Sequence, residues 1–136
     1  MSDWPPPGFV ETRLLDPFEI FVGPVFEEGA KGDRRFVLRV DERHVNRRGV
    51  LHGGMFMTFA DLALGAAAWD AADGAPSVTL GMQTQFLKSA RAGDVVAVKP
   101  QLVRRTRALI FLRGDFTVAG EIVFAASSVW KLLGQD

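Results

Sequence analysis

Short stretches in which apolar and polar residues alternate lie on both sides of the middle of the chain, and this is the pattern of half-buried β-strands. The alternation predicts six strands, at residues 18–28, 34–40, 77–87, 95–104, 108–119 and 121–133. Gly23-Pro24 predicts a bend or an edge position in the first strand, and Pro100 predicts an edge or a bulge in the fourth. Short turns separate the last four strands, so they are predicted to form an antiparallel meander.

One long helix is predicted between the two groups of strands. Residues 53–72 contain only three polar side chains, Thr58, Asp61 and Asp70, and Ala, Leu and Met dominate the rest. At 100° per residue the apolar positions cover every side, so this helix must be buried all round. The charged residues 41–51, which have no periodicity, are predicted to form a surface or interface loop before it.

These elements predict an α+β fold in which an antiparallel sheet wraps around the one long helix. A chain of 136 residues with 48% hydrophobic and 24% charged residues is typical of one packed domain. Residues 1–12, which include Pro5-Pro6-Pro7, are predicted to be an N-terminal arm, and residues 13–136 the domain. One sheet cannot cover every side of the helix, so the face left open predicts association with a second copy of the chain.

Charge and composition narrow the classes of partner. The 16 basic residues balance 16 acidic ones, so no global positive field favours nucleic acid. The chain has no cysteine and only two histidines, and neither a metal nor another cofactor is expected. The N-terminus lacks the pattern of a signal peptide, and no long apolar run predicts a membrane span. We therefore expect a cytoplasmic protein.

Candidate chemistry is concentrated at the start of the long helix. Asp61 is a carboxylate among apolar neighbours in the helix, and it is either exposed, bonded to a backbone donor, or a general base. Gly53-Gly54 forms either a simple tight loop or a place where a ligand approaches the free N–H groups of the first helical turn. His52 and Asp61 are nine residues apart, which puts them on opposite helix faces with about 13.5 Å of rise between them. If both act in one site, that site lies between two protomers.

The motif His44-x-Asn46, His52-Gly53-Gly54 and Asp61, followed by Phe86-Leu87-Lys88 and Ala92-Gly93-Asp94, resembles the hotdog-fold acyl-CoA thioesterases of the PaaI (phenylacetic acid degradation) type. The resemblance runs from about residue 41 to residue 133. It implies a sheet wrapped around one helix, homodimers with a continuous sheet that usually pair into tetramers, and hydrolysis of the acyl-CoA thioester.

The resemblance also implies a role for each motif residue. Asp61 matches the carboxylate that acts as general base or nucleophile, and Gly53 matches the N–H that polarises the thioester carbonyl, with Gly54 beside it. Asn46 and His52 match the residues that position substrate or water from the neighbouring protomer, and Thr79 matches a Ser or Thr that holds the water. Five arginines are candidates for binding the phosphates of CoA, and the alternative is that they form a solvated basic surface. They are Arg47, Arg48, Arg104, Arg105 and Arg107.

Two other functions stay open at this point. The fold could serve as a non-hydrolytic module that binds acyl-CoA or acyl-carrier protein, although the presence of both Asn46 and Asp61 argues against it. It could also be a hotdog hydratase or dehydratase, although His52-Gly53-Gly54 runs directly into the helix without the proline-rich signature of that group.

Overall fold

The computed structural model describes residues 3–14 and 16–134. Parts of the predicted arm and domain, Met1, Ser2, Leu15, Gln135 and Asp136, lie outside the described residues. Among those described, no helix combines the length and the apolar character needed to cross a membrane.

The architecture is an antiparallel sheet packed around one long helix, which confirms the predicted α+β class. In chain order the elements are β1 (Val10–Glu11), α1 (Pro17–Val22), β2 (Phe26–Glu28), β3 (Arg35–Arg39), α2 (Gly53–Ala71), β4 (Ser77–Phe86), β5 (Val95–Val98), β6 (Gln101–Arg105), β7 (Leu109–Val118) and β8 (Glu121–Leu132). The strand order is β1-β2-β3-β5-β7-β8-β4, and β6 pairs with β7. The loop before α2 contains a 3₁₀ turn at Glu42–His44.

The core lies between α2 and the concave face of the sheet. Phe56 of α2 stacks on Phe124 of β8 with ring centroids 4.7 Å apart, and Phe59 meets Phe116 of β7 edge to face. Gly65 allows the helix to approach Trp130, since a Cβ at that position would lie 3.0 Å from the indole ring. These contacts fix which face of α2 is buried and, by exclusion, which face is open.

The open face of α2 is a stripe of residues spaced by four along the helix. Met57 and Trp69 are 41% and 54% exposed, and Asp61 lies between them on the same face. The sheet of one chain therefore leaves this stripe uncovered, so the helix is not buried all round within one chain.

The prediction of a strand over residues 18–28 is wrong for its first half. Residues Pro17–Val22 form the helix α1, and only Phe26–Glu28 forms a strand. The Asp16 side chain accepts the Glu19 N–H at 2.7 Å, and Pro17 occupies the first helical turn, where its missing N–H costs nothing. The alternating apolar residues Phe18 and Ile20 are exposed rather than buried on one face.

The prediction of a simple meander after the helix is also wrong. Strand β4 pairs with β8 at the far side of the sheet, and not with β5. The link between β4 and β5 crosses the start of α2, where the Leu51 N–H donates to the Ala90 carbonyl at 2.7 Å. The strand predicted at residues 95–104 is split into β5 and β6 at Lys99-Pro100, as the proline indicated.

Strand β4 forms an edge of the sheet. Its ten residues pair with β8 on one side, and no described strand pairs with the other side. Val78, Leu80 and Phe86 on this strand are 41%, 55% and 52% exposed. The edge of β4 and the open stripe of α2 are thus two apolar surfaces that the described part of the chain leaves uncovered.

The N-terminal segment packs at the end of the sheet that is farthest from β4. The ring of Trp4 contacts Phe26 edge to face at 5.3 Å, and the Arg39 guanidinium lies 4.8 Å from the Trp4 ring. Val10–Glu11 then adds β1 to the sheet beside β2.

A buried ion pair fixes the C-terminal half of α2 to the turn before β3. The Asp70 carboxylate accepts Arg34 Nε at 2.8 Å and the Gly32 N–H at 3.0 Å, while Arg34 Nη1 donates to Glu27 at 2.6 Å. Asp70 is only 7% exposed, so the loss of its charge would leave Arg34 and Gly32 without their acceptor.

We expect Asp70→Ala to lower the free energy of unfolding by about 2 kcal/mol, because Arg34 Nε and the Gly32 N–H lose their acceptor, while Glu27 still pairs with Arg34. Urea unfolding measures the effect. Lys31→Ala is the control, since it removes the exposed Lys31–Asp73 pair and should change the free energy by no more than about 0.5 kcal/mol. Equal losses in the two variants would contradict a structural role for the buried pair.

Candidate active site

The start of α2 is organised by His52. Its side-chain Nδ1 accepts the Gly54 N–H at 2.8 Å, and its carbonyl accepts the N–H groups of Met55 and Phe56 at 2.8 and 3.1 Å. The Gly53 N–H has no acceptor among the described residues. Of the two glycines, Gly53 therefore keeps a free donor at the positive end of the helix, and Gly54 does not.

The loop that carries Asn46 lies directly before this helix start. Asn46 Oδ1 accepts the Arg48 N–H at 2.9 Å, and its backbone N–H donates to the Val50 carbonyl at 2.8 Å. The side-chain oxygen thus shapes the loop, while its NH₂ group has no acceptor within residues 3–14 and 16–134. Arg47 and Arg48 are exposed on the same loop.

Asp61 and Thr79 form a hydrogen-bonded pair. Thr79 Oγ1 donates to Asp61 Oδ1 at 2.7 Å, and both residues are exposed. The pairing of β4 with β8 shifts between Thr79 and Gly81, so a bulge lies next to this threonine, and bulges re-aim side chains. The structure therefore brings together two of the residues that the sequence singled out.

Asp61 and Gly53 line different clefts of the chain. Asp61 lines a cleft of about 590 Å³ with Phe18, Met57 and Thr58. Gly53 lines another of about 340 Å³ with Phe86 and Lys88. Eight residues separate Gly53 and Asp61, which corresponds to about 12 Å of rise along the helix. The residues of the recognised motif thus fall into two groups, which lie apart within one chain.

The predicted phosphate-binding arginines near β6 have their own contacts. Arg105 Nε donates to the Ala71 carbonyl at 2.8 Å, so its cation lies at the C-terminal end of α2, where the helix dipole favours positive charge. Arg104 and Arg107 are exposed beside it. Ala71 follows Asp61 by ten residues, or about 15 Å of rise, so this cluster is not adjacent to the Asp61 carboxylate.

Two acidic residues at the Asp61 cleft were missed by the sequence analysis. Asp16 and Glu19 of the α1 segment line the same cleft as Asp61. Burial raises the pKa of Glu19 to about 7, and the neighbouring Asp16 and then Asp61 add to the rise. The signal that could have revealed them is Asp16-Pro17-Phe18-Glu19, an N-cap followed by proline and an acid at the third helical position.

Fold and site together define a hotdog-type domain: a sheet around one long helix, a free N–H donor at the helix start and an exposed carboxylate two turns further on.

Comparison with known proteins agrees with this class. The family model described as "Thioesterase superfamily" matches residues 48–125. The Pseudomonas aeruginosa protein named "Putative esterase PA0474" is 32% identical over 129 residues, which cover 93% of this chain and 96% of that protein.

Solved structures are similar over most of the chain. A hypothetical thioesterase protein of Streptococcus pneumoniae, solved with coenzyme A, has a TM-score of 0.76 at 26% identity and covers 82% of this chain and 90% of its own. The N33D mutant of the phenylacetic acid degradation protein PaaI from Thermus thermophilus has a TM-score of 0.78 at 24% identity, over 87% of this chain and 100% of that one, and it shows the shared fold.

The chain belongs to the thioesterase superfamily. The resemblance to hotdog-fold thioesterases and the predicted class of thioester hydrolase are confirmed, and the fold is the one that PaaI has.

Proposed function

We propose that this chain hydrolyses the thioester of a small-to-medium or aromatic acyl-CoA at a site formed between two protomers. The observation that carries the proposal is the Asp61–Thr79 pair: an exposed carboxylate that accepts a hydroxyl hydrogen bond at 2.7 Å, on a helix whose other polar side chains are only Thr58 and Asp70. The Streptococcus relative solved with coenzyme A supports CoA as the carrier of the acyl group.

The chemistry follows from the groups available. Asp61 either takes a proton from a water molecule whose oxygen adds to the thioester carbon, or adds to that carbon itself. The Gly53 N–H of the partner subunit donates to the carbonyl oxygen as it gains negative charge. The carbon–sulfur bond then breaks, and the CoA thiolate leaves and takes up a proton. On the water route the acyl group is released directly as a carboxylic acid. On the route in which Asp61 attacks, the acyl group is left as an anhydride with Asp61, and a water molecule hydrolyses it to the carboxylic acid and restores the Asp61 carboxylate.

Two unpartnered surfaces support a shared site. The open edge of β4 offers unpaired backbone groups to a second β4, and the stripe of Met57, Asp61 and Trp69 is left uncovered by the chain's own sheet. A homodimer formed there would cover the stripe and bring the Gly53 and Asn46 group of one protomer towards Asp61 of the other. We further propose that two such dimers pair into a tetramer.

In this proposal, five arginines bind the phosphates of CoA. Arg47 and Arg48 lie on the Asn46 loop, and Arg104, Arg105 and Arg107 lie near the end of α2. Exposed guanidinium groups suit the phosphates of CoA because each offers several donors in a planar fork.

A panel of acyl-CoAs, assayed with a dye that traps free thiol, tests the reaction. We expect CoA release from at least one short, medium or aromatic acyl-CoA. Binding of acyl-CoA without release would favour a non-hydrolytic module instead. Interconversion of enoyl- and 3-hydroxyacyl-CoA without thiol release would favour a hydratase.

Thr79→Val is expected to lower kcat by about tenfold to a hundredfold with little change in KM, because it removes a hydrogen bond to a charged group without removing the base itself. Thr79→Ser keeps the hydroxyl and should retain most of the activity. Steady-state kinetics on one acyl-CoA measures both variants. If valine and serine behave alike, the hydroxyl has no role in the reaction.

A further inference from the structure

The two glycines at the start of α2 differ in why a side chain is missing. A Cβ on Gly54 would lie 3.1 Å from Nδ1 and 3.3 Å from Cε1 of His52, so this glycine makes room for the ring that caps the helix. Gly53 lies in the first helical turn with a φ that any residue adopts, and a Cβ there would make only ordinary van der Waals contacts. Alanine favours a helix more than glycine does, so the contacts of the chain itself do not account for Gly53.

The space that the missing side chain of Gly53 leaves is bounded by Phe86. A Cβ on Gly53 would lie 3.5 Å from Cζ, 3.7 Å from Cε2 and 3.8 Å from Cε1 of that ring. These three atoms form the tip of the ring, and both residues line the same cleft. We call the space between Gly53 and the ring tip of Phe86 the Gly53 corner.

The ring of Phe86 is held in place although half of the residue is exposed. Its centroid lies 5.0 Å from that of Phe124 and 6.2 Å from that of Phe56, and both of these are core residues. The two residues that follow Phe86 donate their N–H groups to the Val123 carbonyl at 2.9 and 3.0 Å. A surface that is fixed before a ligand arrives loses little conformational freedom on binding.

The cleft around the Gly53 corner has mostly apolar walls. The ammonium group of its one charged lining residue, Lys88, lies 2.7 Å from the Glu121 carboxylate. A carbonyl oxygen that accepts the free Gly53 N–H would have the ring of Phe86 close by instead of water, and such a hydrogen bond is stronger where water is excluded. The other lining residues are Leu51, Phe56, Leu87 and Ser89.

We infer that Phe86 is a further substrate-binding residue of the acyl-CoA site: its ring tip closes the Gly53 corner and packs against the thioester group. The inference rests on the proposed function, in which the Gly53 N–H binds the carbonyl oxygen. The carbonyl carbon of a thioester carries a sulfur and the first acyl carbon, and both suit an aromatic wall. A methyl group on residue 53 would occupy the space of one of them.

Two alanine variants test whether the Gly53 corner holds substrate. Gly53→Ala should melt no lower than the wild type, yet its kcat/KM should fall by about tenfold to a hundredfold because the methyl group displaces the thioester. Gly54→Ala is the contrasting variant and should melt lower, because its methyl group pushes the His52 ring off the cap. A Gly53→Ala protein with the kcat/KM of the wild type would overturn the inference.

Phe86→Leu tests the ring itself. Leucine lacks the three atoms at the ring tip but keeps the branched carbons that pack towards Phe124. In the Phe86→Leu background, Gly53→Ala should cost at least about fivefold less in kcat/KM than in the wild type, because the corner is wider. Phe21→Leu makes the same change at an exposed phenylalanine of α1 and should leave the kinetics unchanged. If the effects of Gly53→Ala and Phe86→Leu simply multiply, Phe86 does not bound the substrate.

A binding experiment needs no turnover. In a ketone analogue of acetyl-CoA a methylene group replaces the sulfur, so the carbonyl is kept and hydrolysis is impossible. By isothermal titration calorimetry the wild type should bind this analogue about tenfold more tightly than CoA, in line with one added hydrogen bond. Gly53→Ala should bind the two about equally. If Gly53→Ala instead loses dimers in native mass spectrometry, the partner subunit fills the corner and the inference fails.

These experiments separate the inference from the proposed function. If no acyl-CoA is hydrolysed but Gly53→Ala loses the preference for the analogue and Phe86→Leu restores part of it, the corner stands and the proposed reaction fails. If acyl-CoA is hydrolysed and the two substitutions act independently, the reaction stands and the role of Phe86 is refuted.

Discussion

Asp61→Asn is expected to lower kcat for acyl-CoA hydrolysis by about 10² to 10⁴, the range over which a general base contributes. Asparagine has the same shape as aspartate, and its Oδ1 can still accept the hydrogen bond from Thr79, so the local geometry is kept. Only the negative charge, and with it the ability to take a proton or attack carbon, is lost. Single-turnover and steady-state kinetics measure the loss, and circular dichroism with thermal melting checks the fold.

Asp115→Asn is a matched control for that experiment. It makes the same chemical change at an exposed aspartate of β7 and should leave kcat at the wild-type value. A folded Asp61→Asn protein with kcat within about threefold of the wild type would remove Asp61 from the mechanism.

Mixing two inactive variants is expected to restore activity. Asn46→Asp removes the NH₂ donors of Asn46 but keeps the oxygen that accepts the Arg48 N–H, so the loop is preserved. Asp61→Ala removes the carboxylate. In a mixture that exchanges subunits at random, about half of the dimers contain one chain of each kind. If a site takes Asn46 from one chain and Asp61 from the other, each mixed dimer has one intact site.

The mixture should then recover about a quarter of wild-type activity per site, from a starting point near zero. Native mass spectrometry measures the fraction of mixed dimers, and the recovered activity should rise in proportion to it. If exchange is complete and activity does not return, both residues belong to a site within one chain. Wild type mixed with Asp61→Ala serves as the reference for the effect of exchange itself.

The strongest patterns in the sequence predicted the strongest elements of the fold. Helix α2 was predicted to within a residue because its twenty-residue apolar run cannot be mistaken for a strand, and β7 and β8 were predicted from long alternation. Helix α1 was missed because Phe18, Ile20 and Val22 alternate like a strand, although Asp16-Pro17-x-Glu19 carries the stronger local signal of a helix start.

Strand pairing was harder to predict because it depends on distant contacts. Strand β4 pairs with β8, and the chain then crosses the start of α2, where the Leu51 N–H donates to the Ala90 carbonyl, before β5 begins. Nothing in residues 87–94 alone reveals this crossing.

The candidate site was predictable only in part. Thr79 was singled out through the family resemblance. Its hydrogen bond to Asp61 lies next to a register shift in β4 that could not be predicted from the sequence. Glu19 could not be placed near Asp61 while its segment was interpreted as a strand. The sequence could not tell which glycine keeps a free N–H, because that depends on the orientation of the His52 ring, whose Nδ1 accepts the Gly54 N–H.

The open edge of β4 also has a consequence for handling the protein. Ser77–Phe86 contains no charged residue and no proline, the devices by which edge strands commonly avoid mispairing, and several of its apolar side chains are exposed. If the proposed dimer covers this edge, a chain outside the dimer offers an unpaired strand that can pair with other chains and aggregate. Conditions that dissociate the proposed dimer at high protein concentration should therefore cause precipitation, and Leu80→Lys should keep the single chain in solution while preventing that dimer from forming.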